Sequence, residues 1–142
     1  MARLFTGLVS TSASGDQYLV AASTISVGEL VYFDSSGEAD LADATAGAGF
    51  TYHARGVVIV GAASGSTAKI RLQGIEKVLF ATAPLAADNG KPVYLSASPG
   101  QGTLTAPSAG HAITHIGILT GANGATTLPE VALNFLLPVL VP

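Results

Sequence analysis

The sequence predicts an all-β protein, a compact β-barrel or β-sandwich built from two similar β-units, with extended N- and C-terminal arms. Three observations carry this. Short apolar runs of alternating or β-branched character recur along the chain, glycine-centred turn signals separate them, and one block of the pattern is written twice. Helical signals are few: ADLADATAG (39–47) and ATAPLAADNG (81–90) each suggest one or two turns, and the first reads equally well as strand and loop.

Taken in order, residues 1–27 read as an N-terminal arm followed by a first strand. Leu4-Phe5 and Tyr18-Leu19-Val20 are apolar patches separated by a Ser/Gly hinge at 10–15. GELVYFDSSG (28–37) is a strand running into a turn. GVVIVGA (56–62) is a β-branched run between glycines, which suits a strand buried on both faces. KIRLQG (69–74) alternates Lys69 and Arg71 outward with Ile70 and Leu72 inward, the period of a half-buried strand. Between these runs fall Ser35-Ser36-Gly37, Ser64-Gly65-Ser66, Asp88-Asn89-Gly90, Pro99-Gly100 and Asn123-Gly124, turn sequences whose glycines accept positive φ.

The repeat is explicit. Gly28, Val31 and Tyr32 recur sixty-two residues later as Gly90, Val93 and Tyr94, while Gly56, Ile70 and Leu72 recur sixty-one residues later as Gly117, Val131 and Leu133. One missing residue reconciles the offsets. The copies span about 28–80 and 90–135 inside a single β-domain of 28–135. Two copies fit units packed around a common core, whereas a solenoid needs at least three. Residues 136–142 carry two prolines, which cannot donate in a central ladder, and read as a C-terminal arm.

Composition narrows the function. A single domain of this length buries roughly 70% of its unfolded surface without staples. There is no cysteine, hence neither a disulfide framework nor a thiolate metal site. Six basic residues, scattered from Arg3 to Lys91, face nine acidic ones for a net charge of −3, a poor footprint for nucleic acid or an anionic membrane. Charged residues make up 11% of the chain, against about 25% in ordinary soluble domains. Such a surface favours assembly, because association covers apolar area that charge does not guard. MARLFTGLVS is too short in apolar run for a secretory signal. VALNFLLPVLVP is far below the ~20 residues of a membrane helix. The expectation is a soluble protein whose tail packs onto something.

Candidate chemistry is sparse. Ser66-Thr67-Ala68-Lys69 matches S-x-x-K, a nucleophile and base pair that needs one helical turn between the residues. Here the Lys opens an alternating strand, and strand positions three apart point to opposite faces. His111 and His115 in HAITH could share a face and recruit His53 as a third metal ligand, but a surface or subunit-contact pair is the simpler use. Asp34, Glu38, Asp40 and Asp43 form the densest acidic stretch without the order of a calcium loop, and so read as a solvated turn face. Tyr18, Tyr32, Tyr52 and Tyr94 lack a basic track and read as core-edge residues rather than a base-stacking platform. No nucleotide, cofactor or hydrolase fingerprint appears, so the expectation is a protein that is not an enzyme and holds no cofactor.

NGKPVYLSASPGQGTLTAPSAGHAITHIGIL, with Gly90, Val93-Tyr94-Leu95-Ser96, Gly102-Thr103-Leu104-Thr105, Ala106-Pro107-Ser108 and Ile116-Gly117-Ile118, resembles a pattern of small structural proteins of tailed bacteriophages. GELVYFDSSGEADLADATAG followed by ARGVVIVGA looks like the same unit again, so the resemblance covers about 28–135. The family it points to is that of capsid decoration, or cement, proteins. It implies a homotrimer on the outer surface of the expanded capsid, bound to the major capsid protein where three capsid subunits meet. Terminal arms would reach neighbouring trimers, with no nucleic acid and no membrane among the partners. The partner-contact residues expected on this basis are Leu4, Phe5, Phe135, Leu136, Leu137, Val139 and Leu140. A head or tail fibre or receptor-binding module of a virion is the alternative. A small hydrolase or lectin-like enzyme is the third class and lacks any supporting constellation.

Overall fold

A computed structural model describes residues 16–45 and 50–141 of the chain. Twelve strands are found among the described residues: β1 (Asp16–Val20), β2 (Leu30–Phe33), β3 (Ala39–Leu41), β4 (Gly56–Val60), β5 (Thr67–Arg71), β6 (Gly74–Lys77), β7 (Pro92–Leu95), β8 (Gly102–Thr103), β9 (Ala112–Ile113), β10 (His115–Leu119), β11 (Glu130–Leu133) and β12 (Val139–Leu140). They form a five-stranded sheet in the order β1-β5-β4-β2-β3, a second in the order β6-β11-β10-β7-β8, and a two-stranded β12-β9 ladder. The protein is all-β and sandwich-like. No barrel closes among the described strands: the edges of each sheet meet only through a single parallel bridge, Ala21 with Ala39 and Phe80 with Gly102.

The two sheets are copies of one another, register included. Val31 opposes Gly56 as Val93 opposes Gly117, Val58 opposes Ile70 as Leu119 opposes Val131, and Phe33 opposes Ala39 as Leu95 opposes Gly102. Gln17 opposes Ile70 as Glu76 opposes Val131. The correspondence therefore runs from β1 to β5 and from β6 through β11. It includes β6, a strand with no visible repeat in the sequence and one that leaves the first sheet for the edge of the second.

Each sheet is held by period-2 burial. In β5, Ala68 and Ile70 are buried while Lys69 and Arg71 are half-buried. Both faces of β4 are covered in its first half, where Val57 joins a core shared with the second sheet and Val58 a core internal to the first, whereas Ile59 is half-buried and Val60 exposed. The shared core combines Leu30, Ala42, Ala54 and Val57 with Val78, Val93, Leu95, Ile116 and Val131. Backbone bonds stitch the sheets there: the Leu79 amide donates to the Gly28 carbonyl at 2.7 Å, Leu30 to Gly100 at 2.8 Å, and Gly100 to Ala42 at 2.7 Å.

Neither candidate helix forms as an α-helix. Ala39–Leu41 is strand β3, zipped onto β2, and 81–90 contains only a short 3₁₀ turn at Ala86–Asp88. Segments this short do not overcome helix nucleation, so pairing with a neighbouring strand wins. The C-terminal arm is extended but turns back onto its own chain. Asn134 donates to Ile116 and Leu136 to His115, and then β12 pairs with β9.

Candidate functional site

Residues from both sheets and from the C-terminal segment enclose an open groove of about 780 Å³. Phe33 at the end of β2, Leu72 just past β5, Leu133 in β11, and Phe50, Phe135 and Leu137 supply its apolar lining. His53, Arg55, Gln73 and Asn134 supply the polar part. His53 is wedged between aromatic neighbours, edge-on to Phe50 at 5.2 Å and tilted over Tyr52 at 4.6 Å between ring centroids. Burial holds its pKa below the ordinary value, helped by the adjacent Arg55 charge. The guanidinium of Arg55 is thus the cation of this groove at neutral pH.

The C-terminal segment beside the groove leaves its apolar side chains bare, with Val139 and Leu140 on opposite faces of β12. Leu136 is 50% exposed, Leu137 73%, Val139 64% and Leu140 56%, far more than an isolated chain has reason to leave in water. The main chain beneath is fixed: Val141 donates to His111 at 2.9 Å and Gly110 donates to Val141 at 3.2 Å, framing the β12-β9 ladder. These side chains are presented on an ordered backbone, and such a surface binds without first paying for chain ordering. Phe135 is half-buried and contributes to both groove and core. Leu4 and Phe5 lie outside the described residues.

Most of the other candidates are engaged locally, the exceptions being the exposed Ser66 and the buried His111 Nδ1, which has no hydrogen-bond partner among the described residues. Ser66 precedes β5 and is exposed, whereas Lys69 pairs with Asp16 at 3.4 Å and lies 5.6 Å from the centroid of the Tyr18 ring. HAITH is not one strand: β9 ends at Ile113, and Thr114, fully buried, donates its hydroxyl to the Tyr52 carbonyl at 2.6 Å before β10 begins. His115 meets Tyr94 edge-on at 6.0 Å, and His111 bridges Thr45. Asp34 accepts the Ser36 and Glu38 amides at 2.8 and 2.9 Å, Asp40 accepts the Ser23 hydroxyl at 2.5 Å, and Asp43 accepts the Thr45 amide at 2.8 Å. Tyr32 packs at the edge of the shared core, its pKa raised by burial and then by Asp40, Asp34 and Asp43. Among the described residues no three His, Asp or Glu side chains stand close enough to hold a metal ion.

One cluster escapes sequence reasoning. Asp16 is buried and receives Arg71 through two bonds, Nε to Oδ1 at 2.9 Å and Nη2 to Oδ2 at 3.2 Å, while Arg71 Nη1 donates to Glu76 at 2.7 Å. The Arg71 pKa is raised, first by the Asp16 hydrogen bond. A planar fork is what allows one side chain to clamp β1 and β6 together across the sheet boundary. Alternation marks Arg71 as outward, but the outward face of β5 is where the second sheet begins. Among the groove residues, Leu72 and Leu133 are marked in the sequence as equivalent positions of the repeat, whereas Phe33 and Phe50 carry no signal beyond apolarity.

Compared with known proteins, the chain matches no family model and no curated sequence.

Proposed function

We propose that this protein is a non-catalytic virion protein that binds the outer surface of an expanded phage capsid as a trimer and stabilises the shell against internal pressure. The observation that carries the reading is the C-terminal segment that holds Leu136, Leu137, Val139 and Leu140 bare on a paired backbone beside an apolar groove. It adds to the resemblance of both β-units to decoration proteins. The engagement of Asp34, Asp40 and Asp43 in local turn and strand bonds, and the placement of Ser66 and Lys69 away from a helical turn, support a non-catalytic role.

A decoration protein works by binding one state of its target. If this segment and the groove meet the expanded shell and find no complementary surface on the compact one, the expanded form gains the difference in binding free energy. Three copies of a weak foot on one trimer give tight attachment through effective concentration. The test is co-sedimentation of the purified protein with undecorated shells in compact and expanded forms. Retention on expanded shells alone is expected. Equal binding to both, or to neither, overturns the reading, and binding to a host surface instead favours the fibre or receptor-binding alternative.

A further inference from the structure

The internal repeat makes a prediction about faces. In the first unit, Gly28, Leu30 and Val57 are buried against the second unit. Their counterparts by register, Gly90, Pro92 and Ile118, are open: Gly90 is exposed, Pro92 half-buried and Ile118 38% exposed. Ile118 sits in a row with Pro92, Ala132 and Ile75, one residue from each of four neighbouring strands, and Ile75 is 57% exposed. The second unit therefore carries, largely open, the equivalent of the apolar face with which the first unit packs, with Ala132 and Ile75 standing where the first unit has Arg71 and Asp16.

The other half of that interface is also duplicated and bare. Within the chain, Gly28 receives the Leu79 amide, and Gly100 is buried against Glu29 and Leu41. The counterpart of Leu79 is Val20, 38% exposed, and the counterpart of Gly100 is Gly37, exposed and with open space where a β-carbon would stand. Charge changes in a complementary sense. Glu29, which faces Gly100, corresponds to Lys91, whereas Ser96 and Gln101 flanking the Gly100 turn correspond to Asp34 and Glu38 flanking the Gly37 turn. Lys91 also bonds Asp88 at 2.7 Å, but its side chain is 57% exposed and its ammonium has donors to spare.

We infer that a second copy of this chain docks head to tail by repeating the intramolecular interface: the Ile75–Ile118–Pro92 face of one chain covers Val20 and the 34–38 turn of the next, with Lys91 against Glu38. The inference deepens the self-association in the proposed function and rests on that part of it alone. A heterologous contact of this kind closes into a ring or continues as a filament. A ring of three chains would alternate six units.

The chain has no cysteine, which allows a directed cross-link. A β-carbon on Gly100 would stand 3.3 Å from that of Glu29, close to the roughly 3.5–4.5 Å of a disulfide, so Lys91→Cys and Gly37→Cys mark the equivalent pair between chains. An oxidised mixture of the two single variants is expected to yield a two-chain product that neither variant yields alone. Glu38→Cys replaces Gly37→Cys if the latter does not fold. Ile118→Lys is expected to reduce the oligomer to single chains with an unchanged β-sheet circular dichroism spectrum. Cross-linking within a single variant to the same extent, no product from the mixture, or an Ile118→Lys protein of undiminished mass overturns the inference. Shell co-sedimentation separates the two readings: binding without the mixed cross-link sinks this interface alone, and the mixed cross-link without binding sinks the capsid role alone.

Discussion

Gly28 and Gly90 share a left-handed backbone, φ +90° and +93°, and their amides donate to equivalent carbonyls, Val58 at 2.9 Å and Leu119 at 2.8 Å. Only Gly28 is buried. A β-carbon there would collide with Leu128 and stand 3.3 Å from the Leu79 amide, whereas one on Gly90 meets open space. Both Gly→Ala variants should lose about 1–3 kcal/mol to the disfavoured conformation. Gly28→Ala should lose a further ~1–3 kcal/mol from overpacking. Urea unfolding of the two variants checks the difference, and equal midpoints would contradict the packing assigned to Gly28.

Gly56 and Gly117 are repeat-equivalent for a different reason. A β-carbon on Gly117 would press into the Ala132 carbonyl, and one on Gly56 into Ile70, with the Arg71 carbonyl only 3.0 Å away. Neither has a positive φ among the glycines that do, so the constraint is the close approach of the next strand. Gly117→Val should prise β10 from β11 and lower stability by at least ~1–3 kcal/mol, read as a drop in thermal midpoint and in amide protection along β11.

The Arg71 clamp offers a third test. Arg71→Ala removes both guanidinium bonds to the buried Asp16 carboxylate but leaves Lys69 at 3.4 Å, and should cost about 2–3 kcal/mol, below the ~3–5 of a fully broken buried pair because Lys69 remains and the Arg71 side chain is 25% exposed. Arg71→Lys should recover only part, since an ammonium cannot span Asp16 and Glu76 with a planar fork. Denaturant titration of wild type and the two variants gives the ranking.

His53 sets a pH dependence. Its folded pKa lies below the ordinary 6.5, so between the two values the unfolded chain holds a proton that the folded chain has released. Stability from this residue is full above about pH 6.5 and declines as pH falls through the lowered value. His53→Gln should flatten that part of the stability-versus-pH curve while the slope at lower pH persists. Thermal midpoints across pH 5 to 8 are the measurement.

For the C-terminal segment, Leu137→Ser with Leu140→Ser leaves the backbone ladder of β12 and β9 in place. The double variant should keep its fold and stability to within about 0.5 kcal/mol, as exposed positions generally do, and should bind expanded shells at least tenfold more weakly. Removing 136–142 is a blunter test because it also strips the pairing partner of β9.

Much of the architecture follows from residue order alone. Alternation in KIRLQG and the β-branched run of GVVIVGA place β5 and β4, and the spacing of Gly56 and Gly117 reports the repeat, because a glycine required by a close strand crossing must recur wherever the crossing recurs. What tertiary structure alone decided is which partner covers each apolar face. Val57 reads no differently from Ile118 in a linear string, yet one is sealed and the other 38% exposed. Asp16 and Arg71, fifty-five residues apart, likewise meet only once β1 lies on β5. Hydrophobic periodicity records that a side chain avoids water, and burial depends on where the rest of the chain, or another chain, comes to lie.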